Sequence, residues 1–209
     1  MLKNKRILIT AGPTWVLIDN VRVISNIATG QTGILLAEKL QKLGAKVTLL
    51  LGPVGSCCLD KNIRLISFKF FDELKNRLVR ELKTKKYDIV IHSAAVADFR
   101  PQEIFKGKLK SGKTHSLKLL PLPKIIQRIH QLAPESKLIP FKLESAVSDA
   151  VLIKGAKNLL SKVKGNFIVA NRLYPYRAFL IDRAGNTVFA ANNKIDLVRK
   201  LSRTLNSEP

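Results

Sequence analysis

Apolar residues along the chain fall into short continuous runs that alternate with stretches of helical spacing. Arg6 to Thr10 is such a run, as expected for a parallel strand buried on both faces, and Ala11-Gly12-Pro13 stops it. Gln31 to Leu43 places Ile34, Leu35, Ala37, Leu40 and Leu43 at helical spacing, and Gly44 closes the helix. Lys46 to Leu51 is a second strand, ended by Gly52-Pro53. The chain therefore begins with a β–loop–α–β unit, expected to be right-handed and parallel. A third strand follows at Ile63–Phe68. Next come a helix at Phe71–Lys85, with Leu74, Leu78 and Leu82 on one face and Asp72 at its positive end, and a strand at Tyr87–His92. Strand character resumes at Ser116–Leu120, and Pro121 and Pro123 precede a helix at Ile125–Leu132. Lys137–Phe141 is a strand containing Pro140, which has no N–H to donate and so predicts an edge position or an early end. The pattern closes with a helix at Val147–Val163, a strand at Asn166–Asn171, a hairpin and a final helix at Asn193–Leu205. The hairpin joins Ala178–Asp182 to Thr187–Ala191 around Arg183-Ala-Gly-Asn186. This alternation predicts a single α/β domain over residues 1–209, with three layers and a mainly parallel sheet.

Two stretches stand outside the alternation. Residues 13–29 are long for a strand-to-helix connection and hold Asp19, Arg22, Ser25 and Asn26, all capable of binding something. They lead into Ile24 to Gly33, where glycines and small hydroxyl residues open the first helix. A helix start offers free N–H groups and a positive dipole end, so this is a candidate phosphate site, with Thr29 as the expected N-cap. Residues 100–116 are polar, with Gly107, Gly112 and the lysines Lys106, Lys108, Lys110 and Lys113, the pattern of a mobile flap. Ligands of open α/β sheets sit outside the carboxyl ends of the strands, which favours binding over packing for Asp98.

Composition narrows the function. Hydrophobic residues make up 46%, enough for a core, yet no run is long enough to span a bilayer. Met1 to Lys5 leads directly into a strand, unlike a signal peptide. Cys57 and Cys58 are adjacent, with no CxxC or Cys/His cluster, which reads as a reducing cytoplasm and no structural zinc. The net charge of +22 suits polyanions or phosphorylated substrates. The lysines are scattered and aromatics are only 6%, which argues against nucleic acid as the partner. A dinucleotide fold would place GxGxxG directly after the first strand and an acid at the end of the second; here the glycines come late and Leu49-Leu-Leu-Gly-Pro53 carries no acid. GxxxxGK[ST] is absent. None of the histidines sits in a hydrolase context, and His92 at a strand end reads as a core or rim residue.

Several blocks in order resemble one family: Ile7-Leu-Ile-Thr-Ala-Gly-Pro-Thr14, Asp19-Asn-Val-Arg-Val-Ile-Ser-Asn26, Thr29-Gly-Gln-Thr-Gly33, Gly44 to Pro53, Ser93-Ala-Ala-Val-Ala-Asp-Phe-Arg-Pro101, Lys108-Leu-Lys110, Phe141-Lys-Leu-Glu144 and Val169-Ala-Asn171. The whole is similar to phosphopantothenoylcysteine synthetase, the phosphopantothenate–cysteine ligase of coenzyme A biosynthesis, from about Arg6 to the last helix. The resemblance implies a Rossmann-like three-layer fold, a homodimer with contacts at the late hairpin, and a stand-alone synthetase, since nothing precedes Met1. It implies 4′-phosphopantothenate, L-cysteine and a nucleoside triphosphate, CTP or ATP, as substrates, with Mg²⁺ on the phosphates. Asn26 and Lys108 match the positions tied to catalysis. Gly12, Thr29, Gly30, Gly33, the Ala94-Ala95 backbone and Asp98 match nucleotide-binding positions. So do the turn Pro123-Lys124-Ile125 and Phe141, the latter against base and ribose. Asn171 matches a substrate-binding position.

The sequence also departs from that family. Gln31 stands where a lysine is usual, and Leu122-Pro-Lys-Ile125 replaces Asn-Pro-Asp-Ile. Ser111 replaces a flap lysine, Leu159 and Val163 occupy the places of two triphosphate lysines, and Arg172 follows Asn171 in place of Asp. These changes favour one alternative to an active ligase, a catalytically weak paralogue that binds nucleotide or a partner; a second, a basic nucleic-acid-binding protein with a contiguous Lys/Arg face away from the strand ends, rests only on the charge.

Overall fold

The computed structural model describes every residue except Cys57 and Pro209. Its central sheet has eight strands. They are β1 (Arg6–Ala11), β4 (Lys46–Leu51), β5 (Arg64–Ser67), β6 (Ile89–His92), β9 (Lys137–Glu144), β10 (Phe167–Arg172), β11 (Arg177–Asp182) and β12 (Thr187–Ala191). Their order is β12-β11-β10-β9-β6-β1-β4-β5. All neighbours from β10 to β5 are parallel, and β11 and β12 are antiparallel. β1 therefore lies at the centre, where Ile7, Leu8 and Ile9 are fully buried.

Helices cover both faces. α1 (Gln31–Lys42) and α5 (Lys194–Ser207) pack Leu36, Leu40, Leu197 and Leu201 against one face. α2 (Phe71–Thr84), α3 (Ile125–Leu132) and α4 (Asp149–Val163) cover the other, through Leu74, Leu78, Ile129, Leu152 and Ala156. The expected three layers and the late hairpin are present. α4 is capped by Ser148, whose hydroxyl accepts from the Val151 N–H at 3.3 Å. α5 is capped by Asn193, whose Oδ1 accepts from the Asp196 N–H at 2.8 Å.

Three readings need correction. β9 is neither an edge strand nor cut short: it lies between β6 and β10 and runs on to Glu144. Pro140 is tolerated there because β9 exchanges partners at that point. Its register with β6 ends at His92↔Pro140, and that with β10 begins at Val169↔Phe141. The long 13–29 connection is itself structured, as a hairpin of β2 (Trp15–Leu17) and β3 (Val23–Ser25). Thr29 is not the N-cap of α1. Gly30 takes that position with φ +68°, and the Thr29 hydroxyl only accepts from the Gln31 N–H at 3.4 Å.

Gly33 has a packing role. A Cβ there would come 2.3 Å from Ala11 Cβ and 3.0 Å from Ser93 Oγ. α1 thus rests directly on the end of β1. Gly33→Ala is expected to destabilise the fold by about 1–3 kcal/mol through overpacking, despite the better helix propensity of alanine. Urea denaturation checks this, and an unchanged or higher midpoint would contradict it.

Candidate active site

Six parallel strands end along one edge, and several of the loops leaving them are stitched together. After β1, Gly12 adopts φ +78° and passes close to Gly52, where a Cβ would stand 2.1 Å from the Pro13 carbonyl oxygen. The tail of β6 lies alongside. The Ala95 N–H donates to Gly12 O at 2.9 Å, the Thr14 N–H to Ala95 O at 3.3 Å, and the Ala97 N–H to Thr14 Oγ1 at 2.9 Å. Asn26, one residue past β3, closes the seam. Its amide nitrogen donates to Ala95 O at 3.1 Å and Val96 O at 3.2 Å. Asn26 is thereby fixed over the Ala95-Val96 backbone.

The positive end of α1 opens onto the same edge. Its first turn carries no acidic residue and its N-cap makes no side-chain hydrogen bond. Gln31, the residue in place of a lysine, accepts from Lys194 Nζ at 3.0 Å. The start of α5 therefore delivers a cation to the place where α1 lacks one. The sequence held no signal for this pairing, because it spans 163 positions.

Between the end of β6 and α3 lies a cleft of about 170 Å³. Ala94, Asp98, Pro123, Lys124, Ile125 and Phe141 all line it, as do His92 and Leu159. Residues from four separate blocks of sequence thus meet in one cavity. The Asp98 carboxylate accepts from Lys124 Nζ at 2.5 Å, an ion pair between its two walls. Lys124 is the basic side chain lining it; Leu159 faces it, and Val163 is buried in the core. His92 is pushed down to about 4 by burial, so it is neutral at physiological pH. Its Nδ1 lies 2.8 Å from the Thr10 hydroxyl.

Two expected site residues belong neither to this cleft nor to the seam and helix start described above it. Asn171 sits near the end of β10, in register with Leu143 of β9 and Ala178 of β11. Arg172 beside it pairs with Asp149 at 3.1 Å and donates to Val147 O at 2.7 Å, which ties the β10 end to the start of α4. Lys108 is exposed, on the flap. The flap springs from a small ribbon of β7 (Phe99–Pro101) and β8 (Leu119–Pro121). Its middle is tied down: the Phe105 N–H donates to Ile18 O at 2.9 Å, and the Asn20 N–H to Gly107 O at 3.1 Å. Asp19 and Arg22, two of the polar residues of the long connection, bind each other and the flap.

This arrangement has known counterparts. The family model of the DNA/pantothenate metabolism flavoprotein C-terminal domain matches residues 2–207. The chain belongs to that family. One relative, the coenzyme A biosynthesis bifunctional protein CoaBC of Thermococcus kodakarensis, is 38% identical over 172 residues. The match covers 82% of this chain and 42% of that protein, so the chain corresponds to less than half of it. The DNA/pantothenate metabolism flavoprotein of Streptococcus pneumoniae has the same fold, with a TM-score of 0.87 at 24% identity, covering 97% of this chain and 99% of that one. A Cab2 variant in complex with phosphopantothenate-cysteine superposes with a TM-score of 0.77 at 18% identity, covering 98% of this chain and 87% of that one. At the strand-end edge this chain places Lys194 against Gln31, Lys124 against Asp98, and Leu159.

Proposed function

We propose that this chain is a phosphopantothenate–cysteine ligase that uses a nucleoside triphosphate, CTP in the first instance and ATP as the alternative. The observation that carries the reading is the convergence of the Asn26 amide, the Ala94-Ala95 backbone, the start of α1 and the Asp98–Lys124–Phe141 cleft on one edge. The names of the CoaBC relative and of the Cab2 complex support the choice of substrates.

In this reading the phosphopantothenate carboxylate attacks the α-phosphorus, and the bond to the departing pyrophosphate breaks. The amino group of cysteine then attacks the acyl carbon of the acyl-nucleotide. Nucleoside monophosphate leaves, and the amine loses a proton. Phe141 and Ile125 offer apolar walls to the base, and Lys124 and Lys194 offer positive charge to phosphate. Asn26 contributes a neutral amide beside the reacting carboxylate without neutralising it. Lys108 balances charge as pyrophosphate departs. Asp98 is the cleft carboxylate and is already paired with Lys124. Mg²⁺ would therefore be held chiefly by the nucleotide's own phosphates, with Asp98 as the protein oxygen nearest to hand, and would shield their charge. The homodimer of the resemblance would form at β12, an edge strand of the sheet, and light scattering tests it.

Pyrophosphate release with phosphopantothenate, cysteine and Mg²⁺, comparing CTP with ATP, tests the activity. No release with either nucleotide overturns the ligase reading and favours the weak paralogue, to which Gln31, Leu159 and Val163 point. Lys194→Ala is expected to raise the KM for nucleotide about tenfold, the worth of one charge-assisted contact, with a smaller change in kcat. An unchanged KM in initial-rate measurements would remove Lys194 from the site.

A further inference from the structure

Asp19 is a fully buried carboxylate in a surface turn. Its Oδ1 accepts from the N–H groups of Val21 at 2.8 Å and Arg22 at 2.7 Å, which shapes the turn between β2 and β3. A turn needs no more than that from an aspartate. The other oxygen is turned outward from the hairpin. Oδ2 accepts from the Arg22 guanidinium and, 90 positions along the chain, from the Leu109 N–H at 3.0 Å. Arg22 completes the link by donating to Leu109 O at 3.3 Å. Hydrogen bonds to charged groups rank among the stronger ones a protein makes. The Leu109 N–H, followed by those of Val21 and Arg22 and by the guanidinium, holds this carboxyl well below the usual carboxylate range in spite of burial.

The contacts fall on alternate flap residues. Phe105, Gly107 and Leu109 face the turn, while Lys106, Lys108 and Lys110 between them are exposed. The same hairpin runs from this turn through β3 directly into Asn26. One short ribbon therefore touches the flap at its tip and carries Asn26 at its end.

We infer that Asp19 is a positioning residue: it latches the flap to the β2–β3 hairpin and so fixes where Lys108 stands relative to Asn26. The catalytic part of this inference rests on the ligase reading of Lys108; the latch itself does not. Asp19→Asn tests it, because it keeps the size and one acceptor but faces the Leu109 N–H and the guanidinium with a donor. Two readouts are used. In limited trypsin digestion, cleavage after Lys106, Lys108, Lys110 or Lys113 is expected to accelerate at least about tenfold, with the melting temperature little changed. In pyrophosphate release, Asp19→Asn is expected to lower kcat about tenfold when Lys108 is present and less than about twofold in a Lys108→Ala background, since a residue acting through another cannot act without it. Unchanged digestion overturns the latch, and an equal loss of kcat in both backgrounds overturns the positioning of Lys108 by Asp19. If Lys108→Ala by itself leaves kcat unchanged, the reading of Lys108 fails while the digestion still decides the latch. Should Asp19→Asn not fold, Arg22→Gln removes the guanidinium link from the rim; faster flap cleavage supports the latch, and unchanged cleavage overturns it.

Discussion

Asn26→Asp is expected to lower pyrophosphate release by about 10²–10³-fold without unfolding the protein, because it both frees the β6 tail that Asn26 holds and, in the ligase reading, adds a negative charge at the reacting centre. The substitution keeps the shape and removes the donors. In the native chain the amide nitrogen lies 3.1 Å from Ala95 O and 3.2 Å from Val96 O. A carboxylate oxygen in that place meets two carbonyl oxygens with no proton between them. It must turn away, and the β6 tail that lines the cleft loses its tie. In the ligase reading it also sets a negative charge beside the substrate carboxylate, which opposes both binding and attack. Asn26 is exposed, so the fold itself has little to lose. Steady-state pyrophosphate release, with circular dichroism as the folding control, measures both halves of the expectation. Release within threefold of the native rate would take Asn26 out of the mechanism; Asn26→Ala separates lost donation from added charge.

Glu81→Gln carries the largest expected effect on stability. Glu81 lies on α2 with its side chain almost wholly buried. Its carboxylate accepts from Arg64 through both oxygens at 2.6 Å and 2.9 Å, and from the Tyr87 hydroxyl at 2.7 Å, and Lys85 Nζ lies 3.3 Å away. The Thr48 hydroxyl lies 3.2 Å from the Tyr87 oxygen and donates to it, so the group joins α2, β5, β4 and the start of β6. The Arg64 hydrogen bonds, opposed by burial and assisted by Tyr87, hold the Glu81 carboxyl at about 2, below its ordinary 4.5. Burial first, with Glu81 adding to it, pushes the Tyr87 hydroxyl up to about 12. Breaking such a pair from one side costs about 3 kcal/mol, at the low end for buried pairs because Arg64 is half exposed. The sign of the pH dependence follows from the lowered value. The stabilisation is present in full above about 4.5 and is lost as pH falls toward 2. Native protein and Glu81→Gln should therefore differ most near neutral pH and converge in acid. Urea unfolding at pH 7 and pH 3 measures this; an equal gap at both would assign the cost to packing instead of charge.

Much of the fold was legible because it depends on local periodicity. The runs at Arg6 and Lys46, the helix at Ile125–Leu132 and the hairpin around Arg183-Ala-Gly-Asn186 all appear where the pattern puts them. Apolar spacing reports which face of an element is buried, and burial drives folding. Pro140 misled because a missing N–H matters only if a neighbouring strand needs it, and that depends on where β9 changes partner. Thr29 misled because side-chain chemistry ranked it above a glycine, whereas the left-handed φ at Gly30 set the helix start. β2 and β3 are three residues each, too short for a period to register.

The sequence by itself determined the α/β class, the strand end beyond which Asp98 stands, and the ordered blocks that mark the family. Only the tertiary structure decided which side chains share a site. It brought Lys194 to Gln31, Lys124 to Asp98, Leu159 to the cleft wall and Asp19 to the flap. The reason is one of range. Secondary structure is written in neighbours three or four positions apart, or two in a strand. A hydrogen bond between residues 90 or 163 positions apart leaves no period in the chain, and exists only once the strands have ended side by side.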